Sequence, residues 1–209
     1  MKKYELTEET VTVYGKTLYR IRAVRDFGSV KTGEFGGYIE KEENLSHFGN
    51  AWISGDARVS GDARVFDNAK VYGDARVYGD ARVFDNAKVY GDARVSGNAK
   101  VYGDARVSGD AWVYGNAWVY GNAWVYGNAE VFNTRHFFVQ GPIGSRDGYV
   151  TFYRTKDDTI GVRCGCFSGS LQKFVDRVEE THGGSRYEKE YKIAAELAKV
   201  CIRLEGESR

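Results

Sequence analysis

From residue 49 the chain reads Gly49-Asn50-Ala51-Trp52-Ile53-Ser54, and this six-residue phrase recurs without a gap to Gly127-Asn128-Ala129-Glu130-Val131-Phe132, fourteen copies in all. The third position is Ala in every copy, and the fifth is Val in thirteen, with Ile53 the exception. The first is Gly in twelve, replaced by Asp67 and Asp85, and the second is always Asp or Asn. A fixed short period is the signature of stacked repeats. Ala and Val stand two residues apart, so on an extended segment both point to one face, and positions four and six point to the other. Gly followed by Asp or Asn supplies a corner, because these residues tolerate positive φ and bond to nearby backbone. A short strand and a corner, repeated three times, close a triangular coil of eighteen residues around a narrow Ala/Val interior.

Read from its valine, the unit Val-Tyr-Gly-Asp-Ala-Arg resembles the hexapeptide signature of left-handed β-helix proteins, over about 40% of the chain. The resemblance implies a mainly β protein, a left-handed parallel β-helix, and a homotrimer with parallel helix axes. The flanks Val24-Arg25-Asp26-Phe27 and Gly36-Gly37-Tyr38-Ile39 also resemble bacterial and phage proteins that carry such a helix and are often labelled acetyltransferases. Fold alone is a weak warrant for that chemistry.

Residues 1–36 are expected to form an N-terminal β cap, 37–136 the β-helix, and 137–209 a C-terminal α/β module. In the cap, Thr10–Tyr14 and Leu18–Arg22 read as a hairpin turning at Gly15-Lys16, placed to cover the open edge of the first coil. Irregular hexads are expected to begin near Gly37. In the module, strands are expected at Phe137–Gln140, Tyr149–Tyr153 and Ile160–Arg163. Two helices follow, with inward faces at Leu171, Phe174, Val175 and Val178, then Tyr187, Tyr191, Ala194, Leu197, Ala198 and Cys201. Ser168 or Ser170 caps the first, and Gly183-Gly184 separates the pair, which gives a βββαα order.

Charge is nearly balanced, 30 Lys+Arg against 29 Asp+Glu, so bulk electrostatics favour neither duplex nucleic acid nor a membrane surface as partner. No apolar run approaches the roughly 18–20 residues that span a bilayer. Met1-Lys2-Lys3-Tyr4-Glu5 carries no apolar signal region behind its lysines, and three cysteines make no disulfide framework. A reduced cytoplasmic protein is expected. Cys164-Gly165-Cys166 is poor zinc spacing without a second pair, so no metal and no cofactor are assigned.

Residues eighteen apart sit above one another, at about 4.8 Å per coil. Position four then forms three columns: Trp52, Lys70, Lys88, Arg106, Trp124; Arg58, Arg76, Arg94, Trp112, Glu130; and Arg64, Arg82, Lys100, Trp118. Position six runs in parallel, with Ser108 between Tyr90 and Tyr126, and Ser96 between Tyr78 and Tyr114. Each such gap parts two rings by roughly 9.6 Å, beside Arg106 or Arg94. A planar base could stack there and leave its phosphate to arginine. A second expected anion site is the loop Gly141–Gly148, with Arg135 and Arg146 contributing. It is not a Walker motif, since no Gly-Lys-Ser/Thr follows.

Hexapeptide acyltransferases use a general-base His at the cleft between subunits and a loop extruded from a coil. Only His47, His136 and His182 are present, none lies in the fourteen hexads, and no hexad is interrupted. His47 takes an inward position if the register extends backwards, which leaves His136 as the one candidate base. No catalytic residue is assigned. The expectation is a non-catalytic homotrimer, of phage type, whose clefts between protomers sequester anionic nucleotide-like molecules such as the cyclic nucleotides of host immune signalling. A structural solenoid is the first alternative, and an acyltransferase using acetyl-CoA the second.

Overall fold

The computed structural model describes residues 2–205. Each hexad folds as expected, into a two-residue strand and a corner, so that fourteen strands (β4–β17) run from Trp52–Ile53 to Glu130–Val131. Trp52 pairs with Lys70, Arg58 with Arg76 and Arg64 with Arg82, all in parallel and eighteen residues apart. Three hexads therefore close one coil, and the coils stack into a parallel β-solenoid of three sheets. All hexad Ala and Val side chains are buried, and each buried Val is worth on the order of 1.5–3 kcal/mol of apolar burial. First-position residues hold φ between +56° and +72°, Asp67 and Asp85 included. Asp tolerates that region better than most L-residues.

The ladder has one direction. Arg58 N–H donates to the Ala75 carbonyl and Ser60 N–H to Val77, and this pattern repeats coil after coil. Spare carbonyls therefore face the N-terminal end and spare amides the C-terminal end. Both must find partners if they are covered.

The N-terminal end is met by donors. Strands β1 (Tyr4–Val13) and β2 (Lys16–Ala23) form the expected hairpin, and β3 (Phe35–Ile39) joins it to a solenoid face by pairing in parallel with Arg58–Val59. Amides of Tyr38 and Glu40 donate to Ala57 and Val59. The Asn44 amide donates to the Gly61 and Ala63 carbonyls at 2.9 and 2.8 Å. On the third side Lys3, completely buried, donates its ammonium to Ala51 at 2.7 Å. Burial, with Arg25 nearby, pulls that ammonium down to about 8.

Two local expectations need correction. The hairpin turns at Tyr14-Gly15, both at positive φ, and not at Gly15-Lys16. This mirror-type turn matches the twist of paired strands. The hexad register also does not run backwards unbroken, because Tyr38 and Leu45 pair twenty residues ahead, with Arg58 and Val65. Two extra residues occupy the first corner, so His47 does not point into the solenoid. Its ring stacks on Tyr4 at 4.3 Å, beside an exposed Phe48.

At the C-terminal end the module is ββββαα. Beyond β18 (Phe137–Ile143), β19 (Gly148–Arg154) and β20 (Ile160–Cys164), a fourth strand β21 (Phe167–Ser170) completes an antiparallel sheet. Gly-Ser composition hid this strand, which is specified by pairing with β20. Helices α1 (Leu171–His182) and α2 (Arg186–Cys201) follow, capped by the Ser170 and Ser185 hydroxyls. Leu197, expected inward, is instead exposed with Ile193 and Val200, while Ala195 takes its place in the core. No helix among the described residues is long and apolar enough to cross a membrane.

Strand β19 fastens module to solenoid by its two-residue alternation. Val150 and Phe152 pack with the helices, whereas Tyr153 joins the solenoid core. Gly161 leaves room for the Tyr153 ring, which an added Cβ would meet at 2.5 Å.

Two substitutions separate backbone conformation from crowding. Gly109 (φ +71°) would place a Cβ 2.8 Å from the Gly127 nitrogen, whereas Gly121 (φ +63°) faces open space. Gly121→Ala is expected to cost about 1–2 kcal/mol from the left-handed conformation alone, and Gly109→Ala clearly more, both read by urea unfolding. Lys3→Met orphans the Ala51 carbonyl and is expected to cost about 1–3 kcal/mol.

Candidate functional site

The two serine gaps are not open slots. Trp112 donates its indole N–H to Ser96 at 3.3 Å, and Trp124 donates to Ser108 at 3.2 Å. Both serines are buried beneath these rings. A Trp at position four of the next coil lies over a position-six serine because that small residue leaves room for an indole. The aromatic group expected from a ligand is thus supplied by the chain. Three of the four flanking rings are also engaged. Tyr90 stacks on Tyr72 at 4.8 Å, Tyr114 donates to Glu130 at 2.9 Å, and Tyr126 packs edge-on to Trp124.

Around Trp124 the structure assembles what the gaps did not. Arg163, from β20, lies over the indole at 4.0 Å and over Tyr126 at 5.1 Å. Arg106 approaches the same indole at 5.3 Å. These residues stand at one wall of a cleft of about 1180 Å³ between the last coils and the C-terminal module. Arg146 and Arg177 line its other parts, with Tyr149. Four arginines thus face one carboxylate, Asp104, which accepts a hydrogen bond from Asn86. Arg177 pairs with Glu180. Among the described residues Arg106, Arg146 and Arg163 contact no carboxylate, and the Arg163 Nε is buried with no acceptor. A recess with stacked guanidiniums and aromatic walls is suited to a planar anion.

The expected pairing of Arg135 with Arg146 does not occur. Of Gly141–Gly148, the ends belong to β18 and β19, and only residues 144–147 form the hairpin connection, which carries Arg146 to the cleft. Its Gly144 amide is already bonded to the Glu190 carboxylate at 2.7 Å, and its Asp147 amide to the Gly144 carbonyl. Arg135 is exposed on the stretch before β18 and does not line the cleft. Arg163 and Arg177 were missed in the sequence because neither falls in a repeat or motif. Arg94 and Tyr78 line a second groove with Arg58 and Arg76, and Ser96 and Tyr114 are not part of its lining.

The solenoid's C-terminal amides are met by acceptors. Thr151 Oγ1 accepts from Trp124 N–H at 2.9 Å, and His136 Nδ1 from Phe132 N–H at 3.4 Å. His136 is buried, and burial, then Arg154, pulls it down to about 4. Its imidazole is therefore a neutral acceptor enclosed by Phe132 and Asn133, not a base facing a cleft. Beside it Arg154, also buried, bonds Glu130 of the last hexad at 3.0 Å and Asp158 at 2.8 Å. This ion pair bolts the module to the solenoid. Cys164 is half-buried with its thiol pushed up by that burial, Cys166 is exposed, and no group of three or more potential ligands is arranged for a metal among the described residues.

Comparison with known proteins agrees with this geometry at the level of the repeat. Residues 51–67, 57–73, 69–85, 75–88, 99–115 and 111–127 match the family model described as YdcK Beta solenoid repeat. The matches lie within the solenoid, and the chain is a β-solenoid repeat protein. No curated protein matches the chain.

Two measurements probe the solenoid–module junction. The folded pKa of His136, about 4, lies below its ordinary 6.5, so its contribution to stability is complete above pH 6.5 and is lost as pH falls towards 4. Urea unfolding is expected to show that slope in the wild type and a flatter one in His136→Gln, which keeps an acceptor but does not titrate. Arg154→Met leaves Glu130 with the Tyr114 hydroxyl but no cation, and is expected to cost about 3 kcal/mol.

Proposed function

We propose that this protein is a non-catalytic binder that holds an anionic, nucleotide-like small molecule in the cleft between its solenoid and its C-terminal module. The observation that carries this reading is the excess of arginine there. Arg106, Arg146 and Arg163 lie around a large recess without carboxylate partners, and two of them are braced on Trp124. Guanidiniums held in place by stacking lose little freedom when an anion arrives, which favours tight binding. In its fuller form, the protein is a phage-type homotrimer that sequesters the cyclic nucleotides of host immune signalling in the host cytoplasm. Support for self-association is the exposure of Trp118 and Tyr120 side by side on one solenoid face, since exposed aromatic patches commonly mark contact surfaces.

A structural solenoid is the second reading, favoured by the likeness to a solenoid repeat over the coils alone. Covers at both ends weigh against end-to-end growth, because they occupy the groups that a further coil would pair with. The acyltransferase reading has least support, since His136 is enclosed.

Titration of the full chain with cyclic dinucleotides and trinucleotides, followed by calorimetry, separates these readings. Binding is expected, with intact ligand recovered after denaturation. Arg146→Glu combined with Arg106→Gln is expected to weaken it by about a hundredfold, or 2.7 kcal/mol. Turnover of acetyl-CoA would instead support the enzyme. Absence of binding together with large assemblies on sizing would support the structural protein.

A further inference from the structure

A second site lies at the opposite end of the solenoid. Arg58, Arg76 and Arg94 are consecutive members of one column, paired in parallel coil on coil. Guanidiniums of like charge directly opposite one another on neighbouring strands destabilise a sheet. Elsewhere on the N-terminal coils the chain provides partners. Lys16 bonds Glu40 and Lys41 bonds Asp62, so these two acids are already taken by lysines. Among the described residues none of the three arginines contacts a carboxylate, and the Arg58 Nε is buried without an acceptor.

This column also has a wall on its N-terminal coils. The β1–β2 hairpin leans along it, and Val13, Tyr14 and Leu18 enclose a groove of about 310 Å³ with the arginines on its floor. Tyr78 lies on the floor, while Tyr14, held at positive φ in the hairpin turn and 90% exposed, stands at the mouth. Beyond Arg94 the column changes to Trp112, so the ladder is three cations long. Its ends lie roughly 9.6 Å apart, at about 4.8 Å per coil. One tetrahedral anion can reach two of these groups, whereas a chain of two or three phosphoryl groups can engage all three.

We propose that the groove walled by the hairpin is a binding site for a linear oligophosphate, read by Arg58, Arg76 and Arg94 as three charge-assisted donors in a row. It is separate from the junction cleft, with which it shares no lining residue. The proposal does not depend on what the cleft holds.

Sodium tripolyphosphate and orthophosphate serve as probes, titrated by calorimetry into the full chain, Arg76→Gln, and Arg146→Gln as the cleft control. Tripolyphosphate is expected to bind the wild type and Arg146→Gln alike, to bind Arg76→Gln at least about tenfold more weakly, and to exceed orthophosphate by a similar factor. Equal affinity for the wild type and Arg76→Gln, a loss confined to Arg146→Gln, or no binding at millimolar probe would each overturn it. Melting in phosphate-free buffer gives an independent reading. Arg76→Gln relieves repulsion and is expected to melt higher than the wild type, with a smaller rise on adding tripolyphosphate. An Arg76→Gln protein that melts lower, with an undiminished tripolyphosphate rise, would count against the ladder.

Discussion

The hydrogen-bond ladder of this protein points one way, and the rest of the molecule is arranged around that polarity. Each coil presents its amides to the next coil and its carbonyls to the one before. The two ends therefore need opposite chemistry. At the N-terminal end the groups that arrive are donors, namely the amides of β3, the Asn44 carboxamide and the Lys3 ammonium. At the C-terminal end they are acceptors, the Thr151 hydroxyl and the neutral His136 ring. A lysine buried in an apolar cap and a histidine held far below its ordinary pKa would look anomalous alone. As partners of a polar ladder's ends they are required, since an unsatisfied buried backbone group costs as much as a lost hydrogen bond.

The interior admits only Ala and Val, apart from Ile53, so the solenoid can carry no chemistry inside. Binding capacity must lie on the outside, in the relation between the position-four and position-six columns and whatever covers them. Where nothing covers a column, aromatic ladders such as Phe66, Phe84 and Tyr102 stack at 4.9 and 5.0 Å. Where an end structure stands beside a column, a recess forms, and both recesses contain arginines without carboxylate partners. The caps thus seal the ladder and also turn flat faces into sites.

The serine gaps show how far a repeat can be read and where reading fails. Their spacing in the columns follows from arithmetic on the sequence, and the pairing of Arg94 with Trp112 and of Arg106 with Trp124 bears out that arithmetic. The occupancy of the gap depends on the rotamer of an indole one coil away, which no column count contains. A similar limit applies to the Arg58 column. Three stacked arginines were visible in the sequence, but the wall that makes them a groove comes from a hairpin more than forty residues earlier.

By itself the sequence determined the coil: its eighteen-residue turn, its Ala/Val interior, its glycine corners and which side chains face out. That was possible because a strict six-residue period makes every contact of the solenoid a contact between known positions. It also indicated a hairpin before the coils and helices after them, from alternation and helical spacing. Only the tertiary structure decided the register of the first coil, the fourth strand of the module, the filling of the serine gaps and the gathering of Arg146 and Arg163 beside Arg106. These depend on how aperiodic segments dock against the ends, where packing and hydrogen-bond demand set the positions and no repeat carries them into the sequence.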